Sequence, residues 1–467
     1  MFQRILSLRQ CLYSLLFLLV SLPAAAQSFK VQCPPTTTLH PGKSTDVGSI
    51  KCQEISGGDG YATMGDGHQI YLFGFGPLSG LGAITAGQPG TQSAAVFNTA
   101  YDATSNPNGT NTDPSSIMNT GVLNANQPAP LMAIDEDDEF FLTLSNVGMI
   151  MRPDLFEQHT VHFHGYPNAS SYFDGVPDAS VAIGISGSMS YYYTAPDAGT
   201  YFWHCHITPP EHLQMGMVGQ LYVRPRQNRV PVGVKLSDAL IAQNKLAPGA
   251  ATSNGIGCTD ILCTGQTPVP AVTTTQKKGA LYAYNDGDGS TRYDVEYPIQ
   301  MMGFDPNFHF VGMTFNPERF ADMKDKYFML NGRSYPDTVN TTAISTEASD
   351  GVSRPSQPLP AKITIPHGGR ALLRVSDLSV TEFTTLATIG IPMLVIADNA
   401  RLLRDMAGNN LYYNSNSITL GGGESKDVIL DANNVPAGTY FLYSTNLDHL
   451  SNDAENFGGM MTEIVVL

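Results

Sequence analysis

The 467-residue sequence is poor in charge: Asp, Glu, Lys and Arg together make up 14% of it, and tryptophan occurs once. So few charges leave little to coat long amphipathic helices, whereas 45 Gly and 31 Pro suit short strands joined by turns. Basic residues are the scarcer sign, 25 against 41 acidic, for a net charge of −16. That balance excludes the electrostatics of a binder of nucleic acid or anionic lipid. Apolar runs of spanning length are also missing, so no membrane span is expected.

Residues 1–26 combine Arg4 and Arg9, an apolar run over 12–22, and Ala24-Ala25-Ala26 before Gln27, the pattern of a cleavable secretory signal. Removing Arg4 and Arg9 takes the net charge from −16 to −18, and the mature protein is expected to be exported, periplasmic or extracellular. Of six cysteines, Cys11 leaves with the signal. Cys33, Cys52, Cys258 and Cys263 suit two disulfides in an oxidising compartment, most simply Cys33–Cys52 and Cys258–Cys263. Cys205 is left over, and metal ligation gives an exported, unpaired thiol a purpose.

Residues 56–126, rich in Gly, Ser, Thr and Asn, read as one or two strands with long loops. Apolar strands are expected at 139–146, 160–164, 188–193, 199–206 and 219–224, enough to complete a β-sandwich by about Pro225. The acidic run 135–139 is expected as a solvated strand start. Residues 226–278 carry a short helix at 234–242 and a Pro/Thr/Gly-rich linker, and a second β-rich unit fills 279–467. The two units echo one another. Gly199-Thr200-Tyr201-Phe202-Trp203-His204-Cys205-His206, followed by His212-Leu213 and Gly216-Met217, returns as Gly438-Thr439-Tyr440-Phe441-Leu442-Tyr443-Ser444-Thr445, followed by His449-Leu450 and Gly459-Met460.

Six of the eleven histidines fall at 159, 162, 164, 204, 206 and 212. On a strand, successive side chains alternate between faces, so His204 and His206 point one way and Cys205 the other. By the same parity His162 lies with His164, and His159 falls on the opposite side. One face therefore offers His159, Cys205, His212 and a methionine, Met217 in preference to Met215 because it follows Gly216. Two imidazoles, a thiolate and a weak thioether suit redox-cycling copper. The other face offers His162, His164, His204 and His206, which suit copper and could hold zinc. Cys205 joins the two sites through the chain. His309, His367 and His449 are expected as hydrogen-bonded core residues, and Met149 and Met151 as packing.

His159-Thr160-Val161-His162-Phe163-His164-Gly165, Asp174-Gly175-Val176-Pro177, the segment 198–206 and Gly216-Met217 together resemble the multicopper oxidases, with copper nitrite reductases as more distant relatives. The resemblance implies an all-β chain of two cupredoxin-like Greek-key β-sandwich domains, 27–225 with copper and 279–467 without. It implies type 1 copper on His159, Cys205, His212 and Met217, and type 2/type 3 copper on His162, His164, His204 and His206. Asp174 matches an acid that assists proton delivery. The implied partners are dioxygen and a small-molecule or metal-ion electron donor. A nitrite reductase would have an acid in place of His162 and a non-ligand in place of His206, so oxygen reduction is favoured. The chain departs from the family in three places: His212 lies seven residues after Cys205 instead of five, Thr208 stands where many relatives have an acid, and Phe383, Leu386, Thr388 and Tyr443 to Thr445 replace the second half's histidines. One chain supplies four of the eight histidines of a trinuclear cluster, and a homo-oligomer meeting face to face would supply the rest. The other reading is a non-enzymatic blue copper protein with an incomplete cluster.

Overall fold

In the strand Ser188–Thr194 the tyrosines at 191 and 193 are buried and Ser190 and Tyr192 half-buried, the two-residue period of a sheet with one face on a core. The computed structural model of the chain describes residues 29–44, 47–166, 170–244, 273–310, 319–405 and 408–467; the signal region and the Cys258–Cys263 pair lie outside the described residues. Two sheets make the first half. One runs in the order Gln69–Pro77, Ile50–Thr63, Glu139–Gly148, Ser188–Thr194, and the other Met132–Asp135, Val218–Arg224, Gly199–His204, His162–His164. Between them lies a core of Phe75, Phe140, Phe163, Tyr191 and Trp203 that also contains Cys205.

The second half repeats this plan. Val295–Phe304 pairs in parallel with Arg370–Asp377 as Ile50–Thr63 does with Glu139–Gly148, and Ile363–Ile365 pairs in parallel with Met461–Val466 as Met132–Asp135 does with Val218–Arg224. The halves meet along Gly199–His204 and Val218–Arg224. Thr200 donates to Asp427, Gln220 donates to the Arg374 carbonyl and Ser376, and Ser425 donates to the Thr200 carbonyl, all buried. The Arg374 guanidinium lies against Glu296 and Asp427, so the buried charges of the seam are paired.

Several expectations shift. Residues 56–126 form a long hairpin, Ile50–Thr63 with Gln69–Pro77, followed by three short helices, Leu81–Thr85, Ala94–Phe97 and Pro114–Gly121. Their signals are local: Ser93 and Asp113 accept from backbone amides as N-caps, and Pro114 opens its helix. The helix expected at 234–242 is Leu236–Asn244. The acidic run is not solvated: Glu136, Asp137, Asp138 and Glu139 are buried, because Arg226 pairs with Glu136 and Asp137, Arg229 pairs with Asp137, and Asp138 accepts from the Ser49 and Asp135 amides. His367 is exposed and so is no core residue, whereas His309 and His449 are buried and hydrogen-bonded. The Cys33–Cys52 disulfide forms, tying the N-terminal segment to the first long strand.

Candidate metal centres

His162 and His164 sit on a three-residue strand opposite His204 and Phe202, so that His162 faces His204 directly and Phe163 faces Trp203. The pleat then sorts the side chains. Phe163 and Trp203 turn into the core, where Gly219 makes room for the indole: a Cβ at 219 would lie 2.8 Å from the Trp203 ring. The imidazoles of 162, 164 and 204 turn outward. Cys205, one step past the strand, turns inward and is fully buried.

The ladder at 162–164 is shorter than the strand expected at 160–164, and the reason places His159. The amides of residues 160 and 161 leave the sheet, Thr160 donating to Cys205 Sγ (3.4 Å) and Val161 to the Tyr191 hydroxyl (3.0 Å), while Thr160 Oγ1 accepts from the His206 amide. Residue 159 bridges to Ile183 instead. Its ring rests against the backbone of Gly57, where a Cβ would come within 2.7 Å of it.

The extra residues after Cys205 form a bulge of definite shape. Thr208 takes a left-handed conformation (φ 37°, ψ 64°), and Pro209 opens a helix, Pro209–Gln214, that holds His212 in the core. His212 Nδ1 lies 3.3 Å from Cys205 Sγ, and the His159 and His212 ring centroids are 5.5 Å apart. Ligand atoms of His159, Cys205 and His212 all fall within 4.8 Å of one another. The Met217 carbonyl accepts from the Cys205 amide, and both Met215 and Met217 are buried in the cluster that contains Cys205. Both ring nitrogens of the fully buried His159 lack a hydrogen-bond partner. Two imidazoles, a sulfur and neighbouring thioethers in a dry pocket form a donor set that fits copper, and a metal would satisfy the orphaned nitrogen. Burial pushes the His159 pKa well down. Burial opposes charge on His212 as well, yet the Cys205 sulfur and Glu157 outweigh it and hold the pKa at about 9; Glu157 Oε2 is 3.4 Å from His212 Nε2.

On the outer face, ligand atoms of His162, His164 and His204 lie within 4.8 Å of one another, and the His206 ring is 5.1 Å from that of His162 and 5.6 Å from that of His204. Hydrogen bonds orient two of these rings: His162 Nδ1 donates to the Asp174 carbonyl (2.6 Å) and His204 Nδ1 to the Cys205 carbonyl (2.8 Å), which leaves each Nε2 lone pair for a metal. Gly175 permits the first contact, since a Cβ there would collide with the Val161 carbonyl. The Asp174 carboxylate is 3.5 Å from the same His162 nitrogen. Burial pushes His204 down to about 3 and lowers His164, whose charge His162 and His206 oppose further; neutral imidazoles are the form that binds a metal. A cleft of about 400 Å³ opens beside His164 and His204, closed on its far side by Glu382, Phe383 and the Gly421–Gly423 turn of the second half. Among the described residues, that half brings no histidine to the cluster.

Sequence reasoning missed Glu157 and Gly57. Glu157 could have been found as the acid two residues ahead of His159; Gly57 carries no local signal. A third feature is the second half's counterpart pocket. Ser444 Oγ lies 3.2 Å from His449 Nδ1 where Cys205 faces His212, Ser444 donates its amide to the Met460 carbonyl as Cys205 does to that of Met217, and Glu382 faces His449 Nε2 at 3.0 Å as Glu157 faces His212.

Residues 108–228 match the family model described as multicopper oxidase. Over 131 residues the chain is 31% identical to multicopper oxidase MCE of Talaromyces pinophilus, which covers 27% of this chain and 20% of that protein. Over 109 residues it is 30% identical to laccase abr2 of Aspergillus fumigatus, covering 23% of this chain and 17% of that one. The chain therefore spans about a fifth of the length of these curated relatives. The blue copper oxidase from Nitrosomonas europaea aligns with a TM-score of 0.53 at 17% identity, covering 90% of this chain and 86% of that one, a likeness of fold. That alignment takes in both halves, and the fold is all-β, two cupredoxin-like Greek-key sandwiches. Residues 108–228 include every side chain of both clusters, so the site itself lies in the segment that matches the multicopper oxidase family model.

Proposed function

We propose that the protein is an exported copper-dependent oxidoreductase of the multicopper oxidase type, taking single electrons from a reducing donor at the Cys205 cluster and reducing dioxygen at the histidine cluster. The observation that carries this reading is the alternation at 204–206, where one sulfur enters a buried donor set while the neighbouring histidine joins the set on the opposite face. In this reading His159, Cys205, His212 and Met217 would hold type 1 copper, and His162, His164, His204 and His206 would hold type 2/type 3 copper. Copper at these positions supplies one-electron exchange and the reduction of dioxygen to water.

The chain's own residues do the rest. His212 turns its Nε2 toward Glu157, a quarter exposed, beside the exposed ring of Phe156. A phenol or a metal cation can dock there, its proton or charge met by the carboxylate. Cys205 passes the electron along the peptide to His204 and His206. Asp174 orients His162 through its carbonyl and holds a carboxylate within reach of the face where protons are consumed. With half the histidines on one chain, the cluster is completed by a second chain meeting this face.

Oxygen uptake by the copper-loaded mature protein, with a phenol or with ferrous, manganous or cuprous ion as donor, tests the reading. Turnover that rises with the oligomeric fraction supports it, and copper held at one ion per chain without oxygen uptake contradicts it. The latter outcome is what the second reading expects, a blue copper electron carrier with an incomplete cluster, which the absence, among the described residues, of any second-half histidine at the cluster favours.

A further inference from the structure

The helix that carries His212 is short, and its end is held from the other half of the molecule. His309 follows the strand Val295–Phe304, is buried, and packs its ring on Phe304 with centroids 4.2 Å apart. Its Nδ1 lies 2.6 Å from the carbonyl of Tyr71 and its Nε2 lies 2.8 Å from the carbonyl of Gln214. Both acceptors are of a kind that lacks partners. Gln214 is the last residue of Pro209–Gln214, where helix carbonyls point past the final turn, and Tyr71 lies on the edge strand Gln69–Pro77.

Each of these two points is one step from the Cys205 cluster. Gln214 is two residues after His212, and Phe73, two after Tyr71, stacks edge-on against the His212 ring at 5.1 Å. A second tie comes from the same half: the Gln214 side chain donates to Asp325 Oδ1 at 2.7 Å, and Thr381 donates to the other oxygen. A neutral imidazole has one N–H and serves one carbonyl at a time, whereas the imidazolium serves both. Burial pushes the His309 pKa down to about 4, with the two carbonyls and Asp305 pulling the other way.

We propose that His309 is a positioning residue for the Cys205 cluster, the second half's clamp, whose one N–H is shared between the carbonyl that ends the helix carrying His212 and the carbonyl of the strand that packs its ring. It touches no donor atom of either cluster. The proposal rests on copper binding at Cys205, and it gives the second half, which among the described residues brings no histidine to the cluster, a task in the chemistry of the first.

The test compares the wild type with His309→Phe, which keeps the ring's bulk and loses both nitrogens, and with His309→Gln, which restores a donor. In copper-free protein, amide exchange at residues 212–217 is expected to quicken about tenfold in His309→Phe, as loss of a buried hydrogen bond does, with the Ser188–Thr194 strand unchanged. In copper-loaded protein the Cys205 site is expected to lose copper to a chelator about tenfold more readily and to change its hyperfine splitting, while the histidine cluster keeps its copper and His309→Gln recovers most of the loss. Unchanged exchange in His309→Phe overturns the proposal, as does equal weakening of both copper sites, the mark of general destabilisation. If the wild type takes up no copper at Cys205, the copper reading fails while the exchange comparison still decides the clamp.

Discussion

At the scale of single residues, the most exacting position is Gly57. Its lack of a side chain lets the first long strand lie against His159, and the 2.7 Å approach of a Cβ to the ring leaves the imidazole nowhere to retreat in a core already filled by Phe75 and Trp203. Gly57→Ala is therefore expected to cost about 1–3 kcal/mol of stability by overpacking. It should also turn His159 away from Cys205, so the copper-loaded variant loses visible colour while the histidine cluster retains metal. Melting temperature and the visible spectrum check both effects. Glu157 is a different case, since its carboxylate reaches His212 from the solvent side. Glu157→Gln should raise the KM for a cationic or phenolic donor with kcat nearly unchanged, the pattern of lost docking, and steady-state kinetics with oxygen as co-substrate measures it.

At the scale of elements, much of what the strands do was legible. Parity over 204–206 follows from the period of a strand alone, and the strands near 139–146, 188–193 and 219–224 lie within two residues of their observed bounds. The His159 turn was less legible, because the bonds that bend the chain come from Tyr191 and Cys205, remote in sequence. The extra loop length after Cys205 was visible, yet its resolution into a helix depends on Thr208 and Pro209 together. The buried acids at 136–139 escaped notice because Arg226 and Arg229 return only after the closing strand. One strand end sets a pH dependence. Burial raises the carboxyl of Asp377, at the end of Arg370–Asp377, from 3.8 to about 7, so the folded chain holds a proton that the unfolded chain releases between those values. Its contribution to stability is present below about pH 4 and is lost as pH rises toward 7. Thermal melts of copper-free protein across that range should show this slope, and Asp377→Asn should flatten it.

At the scale of the whole molecule, the two halves are one plan used twice, and among the described residues both candidate metal clusters lie in the first copy. The second pocket preserves the Ser444–His449 approach, the Met460 backbone bond and the facing Glu382, and lacks the sulfur and the histidine that Cys205 and His159 supply to the first. Thr384→His with Ser444→Cys should therefore create a second coloured copper site, since Thr384 is buried two residues after Glu382 as His159 is two after Glu157, raising copper per chain by one; absorbance and metal analysis report it, and an unchanged metal content would mean that the scaffold has diverged beyond the hydrogen bonds it shares. The repeat was visible in the sequence as Gly438 to Met460 echoing Gly199 to Met217, but the use of the second half as a support for the first was not, since Arg374, Asp427 and His309 meet the first half only in the fold.

The central claim is that Cys205 serves one metal centre and its flanking histidines serve another. Electron paramagnetic resonance of copper-loaded wild type and Cys205→Ser tests it most directly. The wild type should show a narrow-hyperfine signal with visible colour beside a wide-hyperfine signal, and the variant should lose the first and keep the second. A variant that keeps both signals and its colour would contradict the claim.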